Sequence, residues 1–189
     1  MENESMKQIK IFGLFMMLGL FSACPAQQVS TNQPGDSYKK IEVSVTTYGA
    51  QWCGFCQKHK EGMGLAVGVE KTFDFPFGKV PMVYIDIEAP DAPLPQVTYC
   101  GGVPESVIQV QYEGNPTSEP KVAYLCGSLP FGPLSPQDYQ AVFGDLIEWG
   151  VADLIETPDL KMVNLFELVT TRIATQDLNL PDWGKILSK

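Results

Sequence analysis

Residues 52–56 read Trp52-Cys53-Gly54-Phe55-Cys56, and this pair of cysteines directly follows an apolar segment at residues 41–48. The alternation of that segment predicts a strand, and the residues after Cys53 predict a helix, so Cys53 lies at a helix N-terminus. Unpaired N–H groups and the helix dipole favour a thiolate there. Because a thiolate attacks disulfides, we interpret the pair as a redox-active centre. A structural zinc half-site and a permanent disulfide are the alternatives.

The first residues of the chain are typical of an export signal. A short basic stretch at residues 7–10 precedes an apolar segment at residues 11–21, which is shorter than the roughly 20 residues of a membrane span. The segment ends in Phe21-Ser22-Ala23-Cys24, which resembles a bacterial lipoprotein signal, although Phe21 stands where that family has Leu, Val or Ile. The resemblance implies a signal peptide over residues 1–23 and lipidation of Cys24. A lone, unmodified Cys24 and an uncleaved signal anchor are the alternatives.

Either form of this signal delivers the chain across a membrane, into a compartment where disulfides persist. We therefore predict an extracytoplasmic protein of the bacterial cell envelope that is lipid-anchored to a membrane. Residues 24–38 are polar without apolar periodicity and predict a flexible tether. The net charge of −9 and the lack of a basic cluster argue against a nucleic-acid partner.

The segments around the cysteine pair predict an α/β fold with a mixed central sheet flanked by helices. We expect the strand at residues 41–48 to run parallel to a buried strand at residues 81–87, because a helix joins them. Strands at residues 105–112 and 121–126 are separated by a Gly-Asn-Pro turn and predict an antiparallel hairpin. A second helix begins at Ser135-Pro136. Glycines in the later part of the first helix predict its early end: Gly62, Gly64 and Gly68.

Two further regions are less regular. Residues 73–78 combine three phenylalanines with Pro76 and Gly78, and they predict a turn whose rings fill the core. Residues 151–189 predict a helical C-terminal extension that packs on the domain of residues 39–150. One helix of this extension is expected to start at Thr157-Pro158-Asp159.

Two motifs of the chain, and the order in which they occur, resemble those of the thioredoxin superfamily. One is Tyr48-Gly49-Ala50-Gln51-Trp52-Cys53-Gly54-Phe55-Cys56, and the other is Gly101-Gly102-Val103-Pro104, followed by the predicted hairpin and by Gly127. The likeness covers roughly residues 40–150 and implies a thioredoxin-like fold in which Pro104 is cis and lies against the cysteine pair. It also implies that Cys53 attacks a disulfide and that Cys56 resolves the mixed species.

The same resemblance implies the surroundings and partners of the site. The groove for an extended substrate would consist of Trp52, Gly54, Phe55, Val103, Pro104 and Gly127. No metal or cofactor is expected beyond the redox-active Cys53–Cys56 disulfide. The implied partners are protein thiols or disulfides and a membrane or periplasmic redox partner.

The sequence also departs from that family. Thr47 stands where thioredoxins have a buried Asp, and Met82 stands where they have a Lys. Proton transfer to the buried cysteine by a carboxylate is therefore in doubt. Glu105 follows the proline where Thr is common, and we expect its side chain to be solvated.

Three more residues could carry chemistry. Cys100 and Cys126 would border the groove, and they form either a second disulfide, two free buried thiols, or a zinc site together with Cys53 and Cys56. His59 lies three residues after Cys56. We expect it to be a solvated helix residue, with proton transfer or copper binding together with Met63 as the alternative.

These observations predict an extracytoplasmic thiol–disulfide oxidoreductase that exchanges disulfides with protein substrates. Reduction is the favoured direction, since the lipid anchor and Trp52 resemble those of membrane-bound reductases of cytochrome c maturation. The competing interpretation is a non-catalytic thioredoxin-like binding protein, such as a copper chaperone or a peptide-binding module.

Overall fold

The computed structural model describes residues 40–93, 99–117, 119–129 and 134–188. The predicted signal peptide, Cys24 and the predicted tether lie outside these residues. In chain order the elements are β1 (Ile41–Gly49), α1 (Gly54–Met63), β2 (Lys71–Phe75), β3 (Gly78–Asp86), β4 (Glu105–Tyr112), β5 (Lys121–Cys126), α2 (Pro136–Glu156), β6 (Met162–Asn164), α3 (Leu165–Thr175) and α4 (Trp183–Leu187). Within the described ranges, no helix has both the length and the apolar character needed to cross a bilayer.

The six strands form one mixed sheet in the order β2-β3-β1-β4-β5-β6. Strand β1 runs parallel to β3 and antiparallel to β4, and β4 and β5 form the predicted antiparallel hairpin. The crossover from β1 to β3 passes through α1 and then through β2, which pairs antiparallel to β3. The predicted α/β class and mixed sheet packed against helices are therefore confirmed.

One face of the sheet packs against α1 and α2. Alternate residues of the central strands turn toward these helices and are buried, as the period of two in a strand requires: Val43, Val45 and Thr47 of β1, Val80, Met82 and Tyr84 of β3, and Ile108 and Val110 of β4. Helix α2 covers them with Phe143, Leu146 and Ile147, which are almost completely buried. Each such side chain contributes about 1.5–3 kcal/mol by leaving water.

Helix α1 begins at the cysteine pair and ends after Met63. Gly64 adopts a left-handed conformation with φ of 61° and its N–H binds the carbonyls of Lys60 and Glu61. A side chain with a Cβ would be strained in this conformation. The predicted early end of the helix is thus confirmed.

Residues 73–78 contain the predicted turn and core-filling rings, since Phe77 is buried in the core and Phe73 and Phe75 pack against it, but they also include strand residues that the prediction missed. They form the end of β2, a tight turn and the start of β3. The half-buried rings of Phe73 and Phe75 alternate with the exposed Thr72 and Asp74, and this is the period of a strand. Pro76 and the neighbouring aromatic residues obscured that alternation, because they are equally typical of a turn.

The predicted helix start at residues 157–159 is wrong. Helix α2 continues through residue 150 to Glu156, and Thr157 ends it. Its C-terminal carbonyls are bound by Lys121 of β5, whose Nζ donates to Leu154 at 2.6 Å, Pro158 at 3.0 Å and Thr157 at 3.2 Å. A buried cation is well placed at this negative end of the helix dipole.

The C-terminal residues return to the sheet and to α2. Strand β6 pairs with β5, and the Asn164 side chain then caps α3 by accepting the N–H groups of Phe166 and Glu167. Farther on, Trp183 of α4 donates from Nε1 to the carboxylate of Glu148 at 2.8 Å. Its ring centroid lies 4.5 Å from that of Phe77.

Candidate redox site

The two cysteines of the C-x-x-C segment form a disulfide at the N-terminus of α1, with their Cα atoms 5.2 Å apart. Cys53 is the N-cap residue, and its Sγ accepts the backbone N–H of Cys56 at 3.1 Å. Cys53 is 6% exposed, whereas Cys56 is fully buried. When the disulfide is open, this N–H and the positive end of the helix dipole stabilise negative charge on Cys53.

A polar framework holds the segment that leads into Cys53. The Gln57 side-chain amide donates to the carbonyls of Ala50 and Gln51 at 3.1 and 3.3 Å. Gln51 in turn donates from Nε2 to the nearly buried carboxylate of Asp86 at 3.2 Å. Gln57 and Asp86 were not identified from the sequence. The position of Asp86 at the carboxyl end of a strand parallel to β1 was the available signal.

The loop before β4 lies against the disulfide. The Val103–Pro104 peptide bond is cis, and the Val103 carbonyl oxygen is 3.6 Å from Cys53 Sγ. The Pro104 carbonyl accepts the N–H of Gly127 at 2.8 Å, and Gly127 has a left-handed φ of 85°. The structure therefore brings Cys53, Val103, Pro104 and Gly127 together at one edge of the sheet.

Three aromatic side chains in the segments around Cys53 and before Pro104 face solvent. Trp52 is 71% exposed, Phe55 is 61% exposed and Tyr99 is 55% exposed. Gly54 lies between the first two and is exposed as well. Large exposed apolar side chains that lie close together are typical of a contact surface. Trp52, Gly54 and Phe55 adjoin the cysteines in the chain and the Val103 carbonyl contacts Cys53 Sγ, while a substrate groove formed by these residues stays a prediction.

Cys100 and Cys126 form a second disulfide, which fastens the loop before Pro104 to the end of β5. The Tyr99 ring lies over the Tyr124 ring with centroids 4.0 Å apart. The backbone N–H of Tyr99 donates to the Glu105 carboxylate at 3.0 Å. Across the described residues, no group of three or more His, Cys, Asp or Glu side chains is arranged to hold a metal ion.

Glu105 is not solvated as expected, because it is only 2% exposed. Its Cα pairs with those of Tyr48 and Cys126 on the two neighbouring strands. Burial and the charge of Glu105 raise the pKa of Tyr48. Glu105 therefore belongs to the framework that holds residues 99–104, since it binds the first backbone N–H of that loop.

His59 is also buried, which corrects the expectation of a solvated helix residue. Its exposure is 0%, and burial lowers its pKa to about 4. Nε2 lies 3.2 Å from Thr47 Oγ1, and Nδ1 lies 3.0 Å from the Tyr139 hydroxyl. The spacing of three residues from the buried Cys56 was the signal for this placement, because it puts both on one helix face.

No protein-family model, curated protein or solved structure matches the chain.

Proposed function

We propose that this protein is a thiol–disulfide oxidoreductase with a thioredoxin-like fold, and that its reactive centre is the Cys53–Cys56 pair. The observation that carries the proposal is the position of Cys53. Its sulfur caps the N-terminus of α1 and lies 3.6 Å from the Val103 carbonyl oxygen, and the neighbouring Trp52 and Gly54 are exposed. A sulfur at this place is activated as a thiolate and can be approached by another chain.

The strand order supports the fold part of the proposal. The unit β1-α1-β3 is parallel, and the antiparallel hairpin β4-β5 and helix α2 follow it. This order agrees with the resemblance drawn from the motifs at residues 48–56 and 101–104. Strands β2 and β6 extend the sheet at its two edges.

The mechanism has two exchange steps. The Cys53 thiolate attacks one sulfur of a substrate disulfide and forms a mixed disulfide, and the other substrate sulfur leaves as a thiolate. Cys56 then attacks Cys53 Sγ, the bond between Cys53 and the substrate breaks, and the protein disulfide forms. The substrate gains two electrons and the cysteine pair loses two. The reverse sequence would oxidise a substrate dithiol, and we propose reduction as the working direction.

The cellular setting is part of the proposal. The lipoprotein-type signal over residues 1–23 and lipidation of Cys24 would hold the domain at the outer side of a bacterial membrane. Its substrates would be protein disulfides in the cell envelope, and a membrane or periplasmic redox partner would reduce the Cys53–Cys56 pair again. The exposed Trp52 and Phe55 rings support contact with protein substrates.

Insulin reduction with dithiothreitol as electron donor tests the activity. We expect turnover in the wild type and none in Cys53→Ser or Cys56→Ser, while Cys100→Ser with Cys126→Ser retains it and serves as the matched control. The reduction potential of the Cys53–Cys56 pair in glutathione buffers then gives the direction. A Cys56→Ala variant should trap the natural substrate as a mixed disulfide. Absence of turnover in the wild type, with stoichiometric copper bound, would contradict the proposal in favour of the copper chaperone.

A further inference from the structure

His59 is a buried imidazole that the exchange steps above do not use. Each of its ring nitrogens faces a hydroxyl, Nε2 that of Thr47 at 3.2 Å and Nδ1 that of Tyr139 at 3.0 Å. Thr47 Oγ1 is 2.9 Å from the Ser106 hydroxyl, and the Tyr139 hydroxyl accepts the N–H of Leu129 at 3.3 Å. The ring is therefore part of one hydrogen-bonded chain that joins α1, α2, β1 and β4.

The hydroxyls of Thr47 and Tyr139 can switch between donating and accepting a hydrogen bond when the ring changes its charge. A hydroxyl both donates and accepts, so a neutral ring is satisfied with its proton on either nitrogen. A protonated ring is satisfied as well, because both oxygens can accept. What opposes the charged form is burial, which lowers the pKa of His59 to about 4. The ring can thus gain a proton without movement of its neighbours.

Cys56 and His59 lie on the same face of α1. Residues three apart in a helix share a face, with Cβ atoms about 5–6 Å apart, and Cys56 and His59 are both fully buried. The titratable side chains around the ring are Tyr139 of α2, whose hydroxyl contacts Nδ1, and Cys56 on the same face of α1. Thr47 of β1 and, behind it, Ser106 of β4 contribute neutral hydroxyls. In the described part of the chain, no carboxylate is hydrogen-bonded to these side chains.

We propose that His59 is the internal base that takes the proton from Cys56 when Cys56 resolves a mixed disulfide. The inference rests on the proposed function. As the Cys56 sulfur bonds to Cys53 Sγ, its proton passes through the Thr47 hydroxyl to Nε2 of the ring. The bond between Cys53 and the substrate sulfur breaks, and its electron pair leaves on that sulfur as a thiolate. The ring then returns the proton to this thiolate or to water.

Charge pairing makes this transfer feasible in a buried site. A thiolate that forms at Cys56 shares a helix face with the ring, and an opposite charge within about 4–6 Å favours the protonated imidazole. This attraction offsets the burial that otherwise keeps the ring neutral. Thr47 and Ser106 carry hydroxyls of negligible basicity, and Tyr139 is a phenol. Among these hydrogen-bonded side chains, the imidazole is the group that can hold an additional proton.

A single-turnover experiment tests the role, with oxidised glutathione as the disulfide probe. Reduced protein is mixed with the probe and quenched with acid, and the glutathione adduct at Cys53 is quantified by mass spectrometry. We expect His59→Gln to prolong the adduct by about 100-fold and to leave its rate of formation within about twofold. The wild-type resolution rate should show an inflection with pH that His59→Gln lacks. Tyr139→Phe, which keeps the base, is the matched control and should prolong the adduct far less.

The possible failures can be told apart. If Cys56→Ala, which cannot resolve the mixed disulfide, forms no adduct, the proposed function is contradicted, because Cys53 does not exchange disulfides. If the adduct forms but resolves equally fast in wild type and His59→Gln, the function stands and the role of His59 is contradicted.

A second measurement does not require a substitution of His59. The sequence contains one histidine, so the imidazole signals in an NMR spectrum belong to His59. In the reduced protein, we expect the pKa of His59 read from these signals to differ between wild type and Cys56→Ser. An unchanged titration would contradict the pairing of the two groups.

Discussion

The sulfur of Cys53 accepts the backbone N–H of Cys56 at 3.1 Å, across the first turn of the helix that the pair begins. The bond makes Cys53 the N-cap of α1, so a side chain that caps the helix is also the candidate nucleophile. An N-cap acceptor that carries charge forms a stronger hydrogen bond than a neutral one. Opening of the disulfide therefore places a thiolate where the helix already requires an acceptor.

Cys53 should accordingly be the more reactive of the two thiols. We expect reduced protein at pH 7 to be alkylated by iodoacetamide at Cys53 first, at a rate above that of free cysteine, because the helix N-terminus raises its thiolate fraction. Peptide mapping identifies the alkylated residue. Cys56→Ser should retain the fast reaction, and preferential alkylation of Cys56 would contradict the assignment of the two roles.

The Cys100–Cys126 disulfide should stabilise the fold more than the redox pair does. Its cysteines are 26 positions apart, whereas Cys53 and Cys56 are three apart. A longer closed loop removes more entropy from the unfolded chain, so Cys100→Ser with Cys126→Ser should lose about 3 kcal/mol of unfolding free energy. Urea denaturation under oxidising conditions measures this loss. Cys53→Ser with Cys56→Ser is the control, and an equal loss in both would contradict the loop-length argument.

Lys121 should stabilise the fold by binding carbonyl groups at the C-terminal end of α2. It is 3% exposed, and Lys121→Met would leave three carbonyls without their charged donor. We expect a loss of about 2–4 kcal/mol in urea denaturation. Lys161→Met is the matched control, because Lys161 is exposed and should change stability by less than about 0.5 kcal/mol. Equal effects of the two substitutions would refute this role of Lys121.

Two helix glycines should respond oppositely to alanine. A Cβ at Gly62 of α1 would come within 2.5 Å of the Tyr139 ring, whereas one at Gly144 of α2 would lie 3.7 Å from Phe75. Gly144→Ala should therefore gain about 0.5–1 kcal/mol from helix propensity. Gly62→Ala should lose about 1–3 kcal/mol, because it forces α1 and α2 apart. Thermal unfolding of both variants measures the difference, and a gain in Gly62→Ala would show that Tyr139 can move aside.

Much of the fold could be predicted from short patterns in the sequence. Alternation predicted β1 and the β4-β5 hairpin, and Ser135-Pro136 marked the start of α2, because these signals depend on neighbours in the chain. The β2 strand was missed because Phe73 and Phe75 adjoin Pro76. The end of α2 was missed because it depends on Lys121, a residue far away in sequence that binds the last carbonyls.

In the candidate site too, some features follow from neighbours in the chain and others depend on residues that are distant in sequence. The position of Cys53 and Cys56 follows from one local motif. The burial of Glu105 does not, since a charged side chain is usually exposed, and the local signal for the burial of His59 is limited to its spacing of three residues from Cys56. Each is buried because a partner from another element satisfies it, the Tyr99 N–H for Glu105 and two hydroxyls for His59. Such partners become visible when the strands and helices are assembled.

His59 should make the protein lose stability as the pH falls. Burial lowers its pKa from 6.5, the value of an unperturbed imidazole, to about 4 in the fold. Between these values the unfolded chain binds more protons than the folded one, so the unfolding free energy rises with pH. The contribution of His59 is complete above about pH 6.5 and declines as the pH falls toward about 4.

The difference between wild type and His59→Gln isolates this contribution, because the carboxyl groups titrate in both proteins. Urea denaturation at several pH values from 7.5 to 4 should show the wild type losing more stability than the variant. The difference in unfolding free energy should change with pH in the range between the two pKa values, about 4 and 6.5. A difference that stays constant over this range would mean that the ring is protonated equally in the folded and unfolded chains, and the buried neutral imidazole would then be contradicted.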